Sequence, residues 1–231
     1  MGQISKHGFH VKAVIFDLDG TLIDTEKYYR KCWPLAAEKA GYHMTDEQAL
    51  SLRSLGKPYA KERFSEMFGE DCDYEGIRAY RKQLMEECLE KNGINLKPGA
   101  VELLTFLRGQ GIVTALATAT DRQRAGRYLK QIGLFDYLDK IICADMVEHG
   151  KPAPDIYRFA CEQTGFAPQE CLAVEDSPNG AKSAAAAGCP VVYIPDQTPL
   201  EEELVPVIYA CREKLLDIRE IIHDLGNDGL A

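Results

Sequence analysis

Five short apolar runs constrain this chain most: Lys12–Phe16, Ile112–Ala117, Lys140–Cys143, Cys171–Val174 and Pro190–Ile194. Each is rich in apolar or β-branched side chains, the pattern of strands buried on both faces. Segments of helical spacing lie between the later runs, and each stops at glycine. Gly99–Arg108 places Val101, Leu104 and Leu107 on one face and stops at Gly109 and Gly111. Arg122–Ile132 stops at Gly133, Asp155–Thr164 at Gly165, and Asn179–Ala187 at Gly188. Strands separated by helices of this length need crossovers, so the sheet must be parallel, with helices on both faces. The expected fold is an α/β, doubly wound, parallel Rossmann-like sheet.

One interval breaks the alternation. From Glu26 to Gly93 no segment reads as a strand. Thr45-Asp46-Glu47-Gln48 has the form of a capping box ahead of Ala49, Leu50 and Leu52. Pro58 suits the first turn of a helix running towards Met67, and Ile77, Tyr80, Leu84 and Cys88 recur at helical spacing. The interval is too long for a crossover and too apolar for a loop. It is expected to form a helical cap domain, residues 26–93, inserted into an α/β core made of 10–25 and 94–231. The segment beyond Pro199 is expected to be helical and to close the core, with Glu201, Glu202 and Glu203 as its solvated start.

A length of 231 residues allows one good-sized core plus a smaller inserted domain. The formal charge of −9 argues against a nucleic-acid partner, whose phosphates need a basic surface. No apolar run is long enough to span a membrane. The N-terminal MGQISKHGFH lacks the apolar stretch of an export signal, and Lys6 stands where a myristoylation signal wants Ser or Thr. The eight cysteines are scattered with no CxxC pair, which disfavours zinc and suits reduced thiols used as small hydrophobes. The expectation is a cytoplasmic monomer.

Two acids one residue apart, Asp17 and Asp19, end the first strand-like run. Charge is costly beside a buried strand. In open parallel sheets, however, ligands bind beyond the carboxyl ends of the strands. Thr21 follows the first run, Thr118 and Thr120 the second, Lys151 the third, and Glu175 and Asp176 the fourth. Carboxylates gathered that closely raise one another's pKa unless a cation sits among them. Their all-oxygen character suits Mg²⁺, which binds through few carboxylates plus a substrate phosphate. The lysine, the hydroxyls and exposed turn amides would hold the other phosphate oxygens. Thr120-Asp121-Arg122-Gln123 caps a helix whose amino end points at the same place. The set fits phosphoryl transfer, with one aspartate attacking phosphorus and the other moving protons.

The order of these motifs closely resembles the haloacid dehalogenase superfamily. Asp17-Leu18-Asp19-Gly20-Thr21 is similar to its first motif, Thr118 to its second, Lys151 to its third and Glu175-Asp176 to its fourth. The resemblance implies Asp17 as nucleophile and Asp19 as acid/base. It implies phosphoryl binding by Thr118, Ala119 and Lys151, and Mg²⁺ held by Asp17, Asp19 (through its backbone carbonyl), Asp176 and Glu175, the last directly or through water. The helical insert resembles the cap of the β-phosphoglucomutase-like and phosphoglycolate-phosphatase-like branch. In that branch the cap's specificity loop carries basic residues near Arg53 and Lys57, which flank Gly56 here. Tyr29 stands where the mutases tend to carry histidine. The leading expectation is a Mg²⁺-dependent phosphomonoester hydrolase acting on a small phosphorylated metabolite. A β-phosphoglucomutase-like isomerase is the alternative, and a non-enzymatic phosphoacceptor or sugar-phosphate sensor a remote one. His43 and His149 receive no role.

Overall fold

The computed structural model describes residues 10–226. The stretch read for export and lipidation signals lies outside them apart from His10. Six strands form one parallel sheet in the order β3-β2-β1-β4-β5-β6: β1 (Ala13–Phe16), β2 (Val113–Thr118), β3 (Lys140–Cys143), β4 (Cys171–Glu175), β5 (Val191–Tyr193) and β6 (Ala210–Cys211). β1 is central, with β2 on one side and β4 on the other. Its side chains alternate between two cores. Val14 and Phe16 face α5 (Ala100–Gly109), α6 (Arg122–Gln131) and α9 (Ile218–Gly226), whereas Ala13 and Ile15 face α7 (Asp155–Thr164) and α8 (Pro178–Ala187). The sheet is therefore doubly wound, as the alternation of strands and helices requires.

The C-terminal segment differs from expectation. It is not helical throughout, because Ala210–Cys211 adds a sixth strand before α9. Tyr209 N–H donates to the Val191 carbonyl at 2.8 Å and Arg212 N–H to the Tyr193 carbonyl at 2.9 Å. The unpaired edge of β5 thus overrides the weak local preference of a very short segment. Glu201, Glu202 and Glu203 are exposed, and the turn they open is a short 3₁₀ one.

Between β1 and α5 the chain forms four helices: α1 (Glu26–Lys39), α2 (Asp46–Ser51), α3 (Tyr59–Phe68) and α4 (Tyr74–Asn92). α2 starts with the expected capping box, Thr45 and Gln48 exchanging side-chain and backbone bonds. The helices share a small core of their own, with Trp33 and Tyr74 packed 5.1 and 5.0 Å from Phe64, ring centre to ring centre. Fully burying a side chain such as Phe64 contributes about 1.5–3 kcal/mol. Two connecting segments join cap to core, and Asp24 N–H to Asn95 O and Lys97 N–H to Leu22 O tie them together. Among the described residues no helix is long and apolar enough to cross a membrane. All eight cysteines are free, and Cys32, Cys143, Cys161, Cys171 and Cys189 are buried. His149 pairs with Asp155 at 3.1 Å.

Candidate active site

The site grows out of the shared register of three strands. Phe16 lies opposite Leu116 on β2 and Val174 on β4. One residue further on, Asp17 N–H still donates to the Val174 carbonyl at 3.0 Å. Asp17, Thr118 and Glu175 therefore leave the sheet together at its carboxyl edge. Leu18 turns into the core, and the aspartates on either side of it turn towards the edge. Gly20 follows with φ +90°, and a Cβ there would lie 2.3 Å from Asp176 Oδ2. Glycine is needed both for that backbone and for the close approach of the second acidic loop.

Lys151, with a fully buried side chain, joins the two loops: its Nζ donates to Asp17 Oδ1 and to Glu175 Oε1, each at 2.5 Å. Tyr157 donates to the same Glu175 oxygen at 2.7 Å, and Ser177 reaches Oε2 at 3.3 Å. Asp19 accepts from Thr25 at 2.5 Å and from Thr120 at 2.8 Å. Thr118 Oγ1 accepts from Thr120 N–H at 3.0 Å, and Thr21 donates to Asp176 Oδ1 at 2.9 Å.

Two oxygens are left over. Oδ2 of Asp17 and Oδ2 of Asp176 are buried with no hydrogen-bond partner among the described residues. Ligand atoms of Asp17, Glu175 and Asp176 lie within 4.8 Å of one another. Burial, opposed by Lys151 and reinforced by Glu175 and Asp19, pushes Asp17 up to about 8. Burial, with Asp17 and Glu175 alongside, pushes Asp176 well above the usual carboxylate range. Burial pulls Lys151 down, but Asp17 and Glu175 outweigh it and hold the ammonium above its ordinary pKa. One lysine does not neutralise three buried acids. Orphaned oxygens on a hard, all-oxygen set fit a divalent cation such as Mg²⁺.

The cap roofs this edge over a cavity of about 300 Å³ lined by Asp17 and Asp19, by Ala119 and Thr120, and by Arg78 and Arg81 on α4. Arg53 and Lys57 both line it. Arg53 is buried and bridges cap to core, its Nη2 donating to Thr198 Oγ1 at 2.6 Å and its Nη1 to the Asp176 carbonyl at 3.5 Å. Lys57 is exposed at the rim. Tyr29 lines the cavity too, and burial, with Asp19 nearby, raises its phenol and keeps it protonated. Gly56 and Gly150 meet where the cap loop docks. Gly56 N–H donates to the Lys151 carbonyl and Gly150 N–H to the Lys57 carbonyl, each at 2.8 Å.

Several participants escaped the sequence reading. Tyr157 lies on the buried face of α7 beside Ile156 and Ala160, and nothing in its spacing marks the hydroxyl. Glu26 opens α1 and is buried in the cavity wall; burial, then Asp176 and Asp19, raises it well above its usual range. Arg81 had a readable signal: it interrupts the buried stripe Ile77, Arg81, Met85 and Leu89 of α4.

The haloacid dehalogenase-like hydrolase family matches residues 11–188, from the start of β1 through α8. The chain belongs to the haloacid dehalogenase-like hydrolases. Within them it is 32% identical over 211 residues to hexitol phosphatase A of Escherichia coli, covering 87% of this chain and 92% of that one. It is 30% identical over 187 residues to the phosphorylated carbohydrates phosphatase of Thermotoga maritima, covering 79% and 84%. The named relatives are phosphatases, and this hydrolase shares their class, acting on phosphoric monoesters. Its fold matches the crystal structure of a β-phosphoglucomutase from Clostridium difficile with a TM-score of 0.80 at 22% identity, covering 94% of this chain and 98% of that one.

Proposed function

We propose that this chain is a Mg²⁺-dependent phosphatase of small phosphorylated metabolites, sugar phosphates among them, and that it works through an aspartyl-phosphate on Asp17. One observation carries the reading: Lys151 fixes one oxygen of Asp17, while the other is buried and unpaired. A carboxylate so held has one oxygen free for phosphorus or cation. Asp17 and Asp176 would hold the ion, together with the backbone carbonyl of Asp19. Both oxygens of Glu175 are engaged by side chains, so Glu175 serves chiefly to hold Lys151, touching the ion at most through water. Bound there, the ion supplies charge neutralisation for the transferring phosphoryl group.

In this reading the Asp17 carboxylate attacks phosphorus and the bond to the leaving oxygen breaks. Asp19, oriented by Thr25 and Thr120, gives that oxygen its proton and then takes one from the water that cleaves the acyl phosphate. Lys151, Thr118 and the backbone at Ala119 surround the phosphoryl oxygens. The cap keeps bulk water out while Arg53 and Lys57 border the substrate. The hexitol and carbohydrate phosphatases among the relatives support a polyol or sugar phosphate. Tyr29 supports hydrolysis over isomerisation, since histidine is expected there in mutases.

The test is Asp17→Asn. The variant should stay folded and lose turnover of an aryl phosphate in Mg²⁺. Retention of most activity in a pure preparation overturns the nucleophile assignment.

A further inference from the structure

We propose that Asn179 is a positioning residue that locks the cap loop, residues 51–57, onto the core in the closed form that turns substrate over. Its effect on turnover rests on the hydrolase reading above; the lock itself rests on geometry. Asn179 stands in the first turn of α8, just beyond the acids Glu175 and Asp176. Asparagine near a helix start tends to bond the local backbone. Here Ser177 does that, its Oγ accepting from Gly180 N–H at 3.1 Å. Asn179 instead crosses to the cap. Its Nδ2 donates to the Arg53 carbonyl at 2.8 Å and to the Ser51 carbonyl at 3.3 Å. Both acceptors are carbonyls, so the amide must present its amino group, a donor that neither alanine nor aspartate supplies. Ser51 ends α2 and Arg53 follows its cap residue Leu52, where carbonyls have no intrahelical partner. The core thus finishes a helix of the cap.

The loop so held is one that needs holding. Ser54, next after Arg53, has φ +53° and is the one non-glycine residue with positive φ among the described residues. Backbone of that kind persists only where its surroundings fix it. Asn179 grips the carbonyl just before it, and Gly56 N–H, just after it, donates to the Lys151 carbonyl at 2.8 Å. The Arg53 guanidinium is held in turn by Thr198 at 2.6 Å and the Asp176 carbonyl at 3.5 Å. Loops from three strand ends therefore clasp one short segment of the cap. Lys151 and Asp176 belong to the chemistry as well as to the clasp. Asn179 does not, so replacing it leaves the acids, the lysine and the Arg53 side chain in place.

The test is hydrogen exchange of the Gly56 and Gly150 amides, whose bonds cross between cap and core, in wild type, Asn179→Ala and Asn179→Asp. Loss of a good amide–carbonyl bond should speed exchange at both amides about tenfold in Asn179→Ala, while the amides of β1 keep their protection. Asn179→Asp keeps the size and suits the amino end of α8, so it should stay folded. It turns an oxygen towards the two carbonyls, so exchange should rise at least as much. With closure opposed in this way, its kcat/KM on an aryl phosphate should fall about tenfold or more. Wild-type exchange at Gly56 and Gly150 in either folded variant overturns the lock, whatever the enzyme hydrolyses. Faster exchange with wild-type kcat/KM in Asn179→Asp overturns its part in turnover. No turnover of phosphate esters by wild type overturns the hydrolase reading, and exchange alone then decides the lock.

Discussion

Replacing Gly56 by alanine should uncouple the cap from the active site without unfolding either part. The new Cβ would lie 2.5 Å from Gly150 Cα, 2.9 Å from its carbonyl carbon and 3.0 Å from Lys151 N. All three are backbone atoms with no flexible end to swing aside, so the two loops must separate. Separation breaks the paired bonds from Gly56 N–H to the Lys151 carbonyl and from Gly150 N–H to the Lys57 carbonyl. At about 1 kcal/mol each, their loss lowers the closed population about thirtyfold relative to open. The cap retains its own core around Phe64, so the penalty falls on closure and not on folding. The assay is kcat/KM on any turned-over ester, with the melting curve as a check. Gly126→Ala is the control, because its Cβ would meet nothing within 4 Å and α6 gains a better helix former. Wild-type kcat/KM in Gly56→Ala would refute the docked loop as the working conformation.

Further outcomes follow from the buried charges. Folding raises Asp17 from its ordinary value of 3.8 to about 8, so the folded state holds a proton that the unfolded chain releases. Without metal, stability should therefore be fully present below about pH 4 and fall as pH rises towards 8, and Mg²⁺ should stabilise more strongly across that window; a metal-free melting temperature that rises from pH 5 to 8 would contradict this. Lys151→Met should cost about 3–5 kcal/mol by removing the one buried donor that Asp17 and Glu175 share; a denaturant titration beside wild type checks it. Gly180→Ala would put a Cβ 2.0 Å from the Glu175 carboxylate, so turnover should fall along with stability.

The central strands were legible because buried parallel strands are continuous apolar runs, and the core helices α5 to α8 because a glycine lies at or just beyond the end of each. β6 was not, since a two-residue strand carries almost no local signal and exists only because β5 offers an edge. The acids, hydroxyls and lysine of the core were legible because each follows a strand, and the topology gathers strand ends. Thr25 and Tyr157 were not legible, because their hydroxyls matter only through the partners that folding gives them: Tyr157 with Glu175, and Thr25 with Asp19. Arg81 was half-legible: the break in an apolar stripe was visible, but the rings of Tyr29 and Trp33 that enclose it were not.

The central claim is that Asp17, not water, attacks phosphorus first. The stereochemical course of hydrolysis tests it most directly, with a phosphorothioate ester made chiral at phosphorus by an oxygen isotope and cleaved in water carrying a second isotope. Two successive displacements, onto Asp17 and then onto water, give overall retention at phosphorus, which is the expected result. Inversion would mean a single direct attack by water and would contradict the account.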